Sequence, residues 1–193
     1  MFLSIPAIQQ SLHFYLIYAN LRAVLVIYMI LPLTKIPTPS LHEPSQALTK
    51  DEILSPKIQK LIQDMIPTMY REKGIGLAAP QVGVNVKLCV IGKEAIPEDF
   101  FPKDSTKDLV LINPTYKRTG KRVVQETEGC LSVPGKQGKV KRYRQVHVDA
   151  LDEQGNPLSF EAGGYLAHVA QHETDHLNGI VYIDKAETIW EIE

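Results

Sequence analysis

The run His172-Glu173-Thr174-Asp175-His176 places two imidazoles four positions apart, with a carboxylate directly after the first. On an α-helix, side chains at i and i+4 share one face, so both rings can chelate a single ion. Glu173, adjacent to the first ligand, can take a proton from a water held by that ion. A catalytic centre of this kind needs a third protein ligand and an open position for water. Cys130 is the leading candidate. It lies in Glu128-Gly129-Cys130-Leu131-Ser132, with the turn-forming pair Pro134-Gly135 just beyond. Cys89 competes, but it sits in an alternating apolar stretch, where a cysteine behaves as a small buried hydrophobe. His168 precedes His172 by one turn. Three ligands on successive turns do not easily converge on one ion, so His168 is assigned to pocket wall or core. His13, His42 and His147 have no comparable context.

A second feature is Gly74-Ile75-Gly76-Leu77-Ala78-Ala79-Pro80-Gln81-Val82-Gly83, whose small residues let a backbone pass close to another group. It lacks the Gly-Lys-Ser/Thr of a phosphate loop and does not fit the dinucleotide fingerprint.

These residues need elements to hold them. Ser55-Pro56 is an N-cap followed by proline at the first helical position, and Ile58, Leu61, Ile62, Met65, Ile66 and Met69 recur at helical spacing. Pro67 should kink this helix and Gly74 should close it. Val84–Ile91, Val110–Asn113, Val123–Glu126, Val140–Leu151 and Ile180–Ile183 are strand candidates. Pro157–Glu161 returns as a hairpin partner after the turn Asp152–Asn156. Tyr165–Leu177 is the second helix and carries the histidine pair. The proline-bearing stretch Leu33–Thr49 should lie over the domain as an extended, hydrogen-bond-poor arm. Strands gathered between two helices predict an α+β fold with mainly antiparallel sheets around the helix carrying His172 and His176.

The 193-residue chain has a formal net charge of −1, which excludes global attraction to nucleic acid or acidic membranes, and two cysteines cannot form a disulfide framework. The charge is unevenly distributed. Arg22 is the one formally charged side chain from Met1 to Tyr28, and Leu12–Leu31 is mostly apolar over about 20 residues, enough to cross a bilayer. No basic residue precedes this run and no clear cleavage site follows, so it is a poor signal peptide. Residues 1–28 are taken as a non-native or dispensable extension, with Met29 as the true start. A membrane anchor is the alternative, penalised by Arg22 near the middle of the run. The cluster Lys117, Arg118, Lys121, Arg122, Lys136, Lys139, Lys141, Arg142 and Arg144 is taken as a solvated strand face.

Gly74 to Gln81, Glu128 to Ser132 and Gln171 to His176, in this order, resemble the three marker segments of the peptide deformylase family. The resemblance extends over roughly Leu33 to Ile183 and assigns residues 29–193 to one catalytic domain. It implies that Cys130, His172 and His176 bind one divalent metal ion, Fe(II) in bacterial members, with Zn, Ni or Co able to replace it. Glu173 matches the general acid/base. The Gln81 side-chain amide and the Leu131 backbone N–H match donors to the formyl oxygen, and Gly76 matches a glycine whose backbone lies near the reacting group. Ile75, Glu128, Tyr165 and His168 match positions around the methionine pocket, although Tyr165 and His168 depart from the small or aliphatic residues common there.

The implied reaction removes the formyl group from N-formylmethionyl nascent peptides and releases formate. It implies a cytoplasmic enzyme meeting the ribosome transiently, with no sequence-specific nucleic-acid binding and no disulfide partner. Nine residues follow Asp184, too few for the terminal helix of many bacterial members, so ribosome docking would use another surface, and contact with ribosomal RNA becomes the alternative reading of the basic cluster. Two other readings remain open from the residues: a His-Glu-x-x-His metallopeptidase and a catalytically silent binding relative.

Overall fold

The computed structural model describes residues 12–19, 22–100 and 107–192. Strands β1 (Leu12–Ala19) and β2 (Arg22–Met29) form an antiparallel hairpin. Among the described residues no helix is long and apolar enough to cross a membrane. The rest of the proposed extension, residues 1–11 and 20–21, lies outside the described residues. The Met29 and Leu31 N–H groups donate to Asp64 Oδ1 (2.8 Å) and Thr68 Oγ1 (3.0 Å), which ties the end of β2 and the residues after it to the next long helix.

That helix, α2 (Pro56–Arg71), follows the short turn α1 (Lys50–Ile53). The Ser55 hydroxyl accepts from the Ile58 N–H, and Pro56 occupies a position whose N–H would have had no partner in the helix. The helix continues through Pro67. Ile58, Leu61, Ile62, Met65 and Met69 are buried, each contributing about 1.5–3 kcal/mol by leaving water. Beyond Arg71 the Gly74 N–H returns to the Met69 carbonyl at 2.9 Å.

Five antiparallel strands make the larger sheet, in the order β3 (Gly76–Ala78), β4 (Leu88–Ile91), β5 (Leu109–Arg118), β8 (Gln145–Leu151), β9 (Pro157–Gly163). A smaller sheet has the order β10 (Thr188–Glu191), β7 (Val133–Tyr143), β6 (Val123–Cys130). Leu88 and Val90 pack with the α2 stripe. Cys89 and Ile91 face the other way, into a cluster with Leu166, Ala167 and Ala170 of helix α3 (Gly164–Leu177). The larger sheet is therefore covered on both faces, which makes all four β4 side chains buried. Gln171 pins α3 to the end of β7: its Oε1 accepts from the Tyr143 N–H (3.0 Å) and its Nε2 donates to the Tyr143 carbonyl (2.7 Å). The fold is α+β with antiparallel sheets.

Several boundaries differ from the sequence expectation. Val84 and Val86 precede β4 rather than belong to it. Val140–Leu151 is not one strand, because the chain breaks at Arg144 and its halves join different sheets. Ile180–Ile183 is not a strand. It leads into a 3-10 turn, Tyr182–Asp184, capped by the Asp184 carboxylate accepting from the Val181 N–H at 2.8 Å. The arm before α1 is well tied by hydrogen bonds. Thr34, Ile36 and Ser45 N–H groups donate to the carbonyls of Gln81 (2.7 Å), Ser132 (3.0 Å) and Leu177 (2.9 Å). It clamps the three motif segments together, which no local pattern in the arm announces.

Candidate active site

Cys130 ends β6 and pairs with Val133 across the two-residue turn Leu131-Ser132, so the hairpin presents the thiol at a sheet corner. Helix α3 passes that corner with His172 and His176 on one face, their ring centroids 5.0 Å apart. The candidate ligand atoms of Cys130, His172 and His176 all lie within 4.8 Å of one another, and Cys130 Sγ is 3.2 Å from His176 Nε2. The expected third ligand thus joins the histidine pair, while Cys89 is fully buried in the apolar cluster between β4 and α3.

Glu128, two residues before Cys130, orients the first histidine. Its Oε2 lies 2.7 Å from His172 Nδ1. An ionised carboxylate only accepts, so Nδ1 carries the hydrogen and Nε2 is left for a metal. Arg142 grips the same carboxylate with Nε (2.7 Å) and Nη2 (2.9 Å), and His168 Nε2 lies 2.9 Å from its other oxygen. Arg142 Nη1 also donates to Asp175, which Lys185 Nζ reaches at 2.7 Å.

Glu128 borders the cavity, and Arg142, His168 and His172 engage its carboxylate, so it also supports the candidate ligands. One expectation needs correction here. Arg142 is no part of a solvated basic face: it is 2% exposed, whereas Lys117, Arg118, Lys121, Arg122, Lys136, Lys141 and Arg144 are exposed. Sequence reasoning missed Arg142, Asp175 and Lys185 as a supporting chain. One signal was available, since Arg142 shares strand parity with Val140, an inward position.

Gln81 stands on the 3-10 turn Ala79–Val82 that follows β3. Its Oε1 accepts from the Ala78 N–H (2.8 Å), which turns the amide nitrogen toward Cys130 Sγ (3.3 Å) and Ser132 Oγ (3.2 Å). Glu173 is buried, and its Oε2 has no hydrogen-bond partner among the described residues. A Cβ on Gly76 would lie 2.2 Å from Glu173 Oε1. Gly76 is therefore glycine because the Glu173 carboxylate occupies the space a side chain would need.

A cavity of about 330 Å³ opens onto these groups. Ile75, Gly76, Gln81, Glu128, Cys130, Leu131, His168, His172 and Glu173 line it, with Tyr165 at its rim, 55% exposed. Of the expected site residues His176 alone is set back from the wall, as a buried ligand.

Burial shapes the electrostatics. It raises the Glu173 carboxyl to about 7, suiting it to exchange protons near neutrality. Burial would also raise Glu128, but hydrogen bonds from His168, His172 and Arg142 outweigh it and hold this carboxyl well below the usual carboxylate range. For His172 burial disfavours the charged ring, and contacts with Cys130 and Glu128 overcome it, pushing the ring up to about 10, so a metal ion binding at Nε2 would displace a proton there. His176 moves the opposite way, held well below its ordinary value by burial and then by the His172 charge.

A helix-borne histidine pair, a cysteine within ligand distance of it and a buried glutamate beside an open cavity define the class: an α+β protein with a candidate metal site. The chain belongs to the polypeptide deformylase family, whose model matches residues 30–190. Similar proteins include the chloroplastic peptide deformylase 1A of Solanum lycopersicum, 42% identical over 76% of this chain and 56% of that protein. A peptide deformylase of Symbiobacterium thermophilum is 44% identical over 81% of this chain and 66% of that one. The chain thus spans just over half the length of the tomato relative. Among solved structures, a Synechococcus elongatus peptide deformylase in complex with actinonin superposes with a TM-score of 0.71 at 39% identity, covering 82% and 79% of the two chains. A Met-Ala-Ser-bound class I type b peptide deformylase from Acinetobacter baumannii gives 0.72 at 30% identity, covering 81% and 98%.

Proposed function

We propose that this chain is a metal-dependent hydrolase that removes the formyl group from the N-terminal formylmethionine of nascent polypeptides. The observation carrying this reading is the convergence of Cys130, His172 and His176 within 4.8 Å beside the buried carboxylate of Glu173. The donor set fits a divalent ion: one sulfur and two imidazoles, with the His172 tautomer preset by Glu128 and a cavity in front for water and substrate. When bound, the ion supplies Lewis acidity, activating a water and polarising the formyl carbonyl. Fe(II) is the metal favoured by family resemblance; Zn, Ni and Co suit the same donors.

The protein's own groups perform the rest. Glu173 accepts a proton from the attacking water and delivers it to the leaving amine nitrogen, giving formate and a free N-terminus. Negative charge develops on the formyl oxygen as its carbon becomes tetrahedral. The Gln81 amide and the Leu131 backbone N–H are the donors assigned to that oxygen. Gln81 holds its orientation through the Ala78 N–H, so little reorganisation is needed during reaction. Ile75, Glu128, Tyr165 and His168 are assigned to the walls around the methionine side chain. Residues 29–193 form the catalytic domain and residues 1–28 an extension, a division supported by a family match beginning at residue 30. The setting favoured is the cytoplasm, in transient contact with the ribosome and without sequence-specific nucleic-acid binding.

Formate release from formyl-Met-Ala by metal-loaded protein, with Glu173→Ala as control, is the deciding experiment. Release that Glu173→Ala abolishes supports the reading, and no release above that control sinks it. Retention of metal and activity by Cys130→Ala would favour a metallopeptidase centre with a different third ligand.

A further inference from the structure

One end of the cavity is built from residues that the proposed reaction leaves unused. Past the Cys130 corner its wall runs through Pro134, Gly135, Lys136 and Gln137 and finishes on Ile192. Strand β10 brings Ile192 there. Trp190 pairs with Gln137 and Glu191 with Lys136, and the Ile192 N–H donates to the Gly135 carbonyl at 2.9 Å. Residues directly opposite on neighbouring strands project from the same face, so Trp190 shares the face of Gln137. Ile192, two positions on, shares it as well. Ile189 points to the opposite face.

Both apolar side chains are wet, Trp190 at 37% and Ile192 at 43% exposure. Apolar surface at the mouth of a peptide cavity gains stability when a ligand covers it. The metal ligands, Gln81 and Glu173 surround the reacting formyl group, and Ile75, Tyr165 and His168 border the other part of the cavity. A peptide extending past its first residue needs a way out. Of the open walls left, Lys73 with Gly74 and Thr127 with Gly129 offer polar or small side chains, and the β10 side offers the apolar Ile192.

We propose that Ile192 and Trp190 form an apolar subsite for the second residue after formylmethionine, which makes the β10 end of the chain specificity-determining. The proposal rests on the deformylase reading and deepens it. Its occupant is the substrate itself, because Ile192 lines the reacting cavity and Trp190 stands opposite the cavity-lining Gln137.

The test compares kcat/KM for formyl-Met-Ala, formyl-Met-Ala-Leu and formyl-Met-Ala-Ser on the metal-loaded full chain. The wild type should favour the leucine peptide over the serine peptide. The double variant Ile192→Ser/Trp190→Ala should lose roughly three- to ten-fold on the leucine peptide, mainly through KM. It should keep formyl-Met-Ala turnover within about two-fold, which also shows that the fold is intact. Ile189→Ser should match the wild type on all three. Equal wild-type rates on the two tripeptides, an unchanged double variant, or an equal loss on dipeptide and tripeptide would each overturn the proposal. If the wild type releases no formate even from formyl-Met-Ala, the deformylase reading fails and this proposal falls with it.

Discussion

Glu128 Oε2 lies 2.7 Å from Nδ1 of His172, and the same carboxylate is held by both Nε and Nη2 of the buried Arg142. One side chain thus sets the tautomer of a candidate metal ligand and neutralises a buried cation. Glu128→Gln keeps the shape but loses the charge. It should weaken metal binding by about 10–100-fold, measured by competition with a chelator of known affinity. Wild-type affinity in that variant would remove Glu128 from the support of the metal site.

Arg142 and Lys185 both reach Asp175, yet their surroundings predict different consequences. Arg142→Met leaves Glu128 and Asp175 buried without their shared partner and should destabilise the protein by about 3–5 kcal/mol in urea unfolding. Lys185 is about one-third exposed, so Lys185→Ala should cost about 0–1 kcal/mol. Comparable losses for the two would contradict the assigned burial.

Gly76→Ala places a methyl group where Glu173 Oε1 now lies, 2.2 Å from the ideal Cβ position. Neither backbone nor helix can yield cheaply there, so the carboxylate must move. Formate release should fall about 100-fold, as expected for misplacing a reacting group by about 1 Å, while metal content stays at the wild-type level. Metal loss equal to activity loss would show that Gly76 supports the ligands instead.

His147 lies on the outer face of β8, with Nδ1 2.8 Å from Glu161 Oε1 and Nε2 2.9 Å from Ser159 Oγ. The Glu161 contact leads in raising its pKa above the ordinary 6.5, with Asp149 assisting. A group whose pKa is raised on folding stabilises the protein fully below its unfolded value. That stabilisation is lost as pH rises through the folded value. Titration of the His147 ring by NMR should therefore give a midpoint above 6.5, and Glu161→Gln should lower it. An unshifted midpoint in the wild type would refute the pairing.

Much of the site was legible before any fold was known, because helix geometry converts a spacing of four into a shared face. His172, His176 and Glu173 needed nothing more. The capped apolar stripe of α2 was readable for the same reason. Cys130 was preferred to Cys89 by local setting, and only the packing of β4 against α3 shows how Cys89 is enclosed, among Leu166, Ala167 and Ala170. Strand ends were poorly legible. Val140 to Leu151 reads as one β run, and only long-range pairing divides it between two sheets at Arg144.

Local spacing thus specified the chemistry, since side chains within one turn or one hairpin are placed by backbone geometry alone. Tertiary structure decided everything that required distant segments to meet. It turned Arg142 from a surface charge into the buried partner of Glu128 and Asp175. It gave Gly76 its reason through Glu173, nearly a hundred residues later, and brought β10 to the cavity by pairing it with β7. Desolvation and cross-strand register have no counterpart in a one-dimensional pattern, because both arise only when the chain closes on itself.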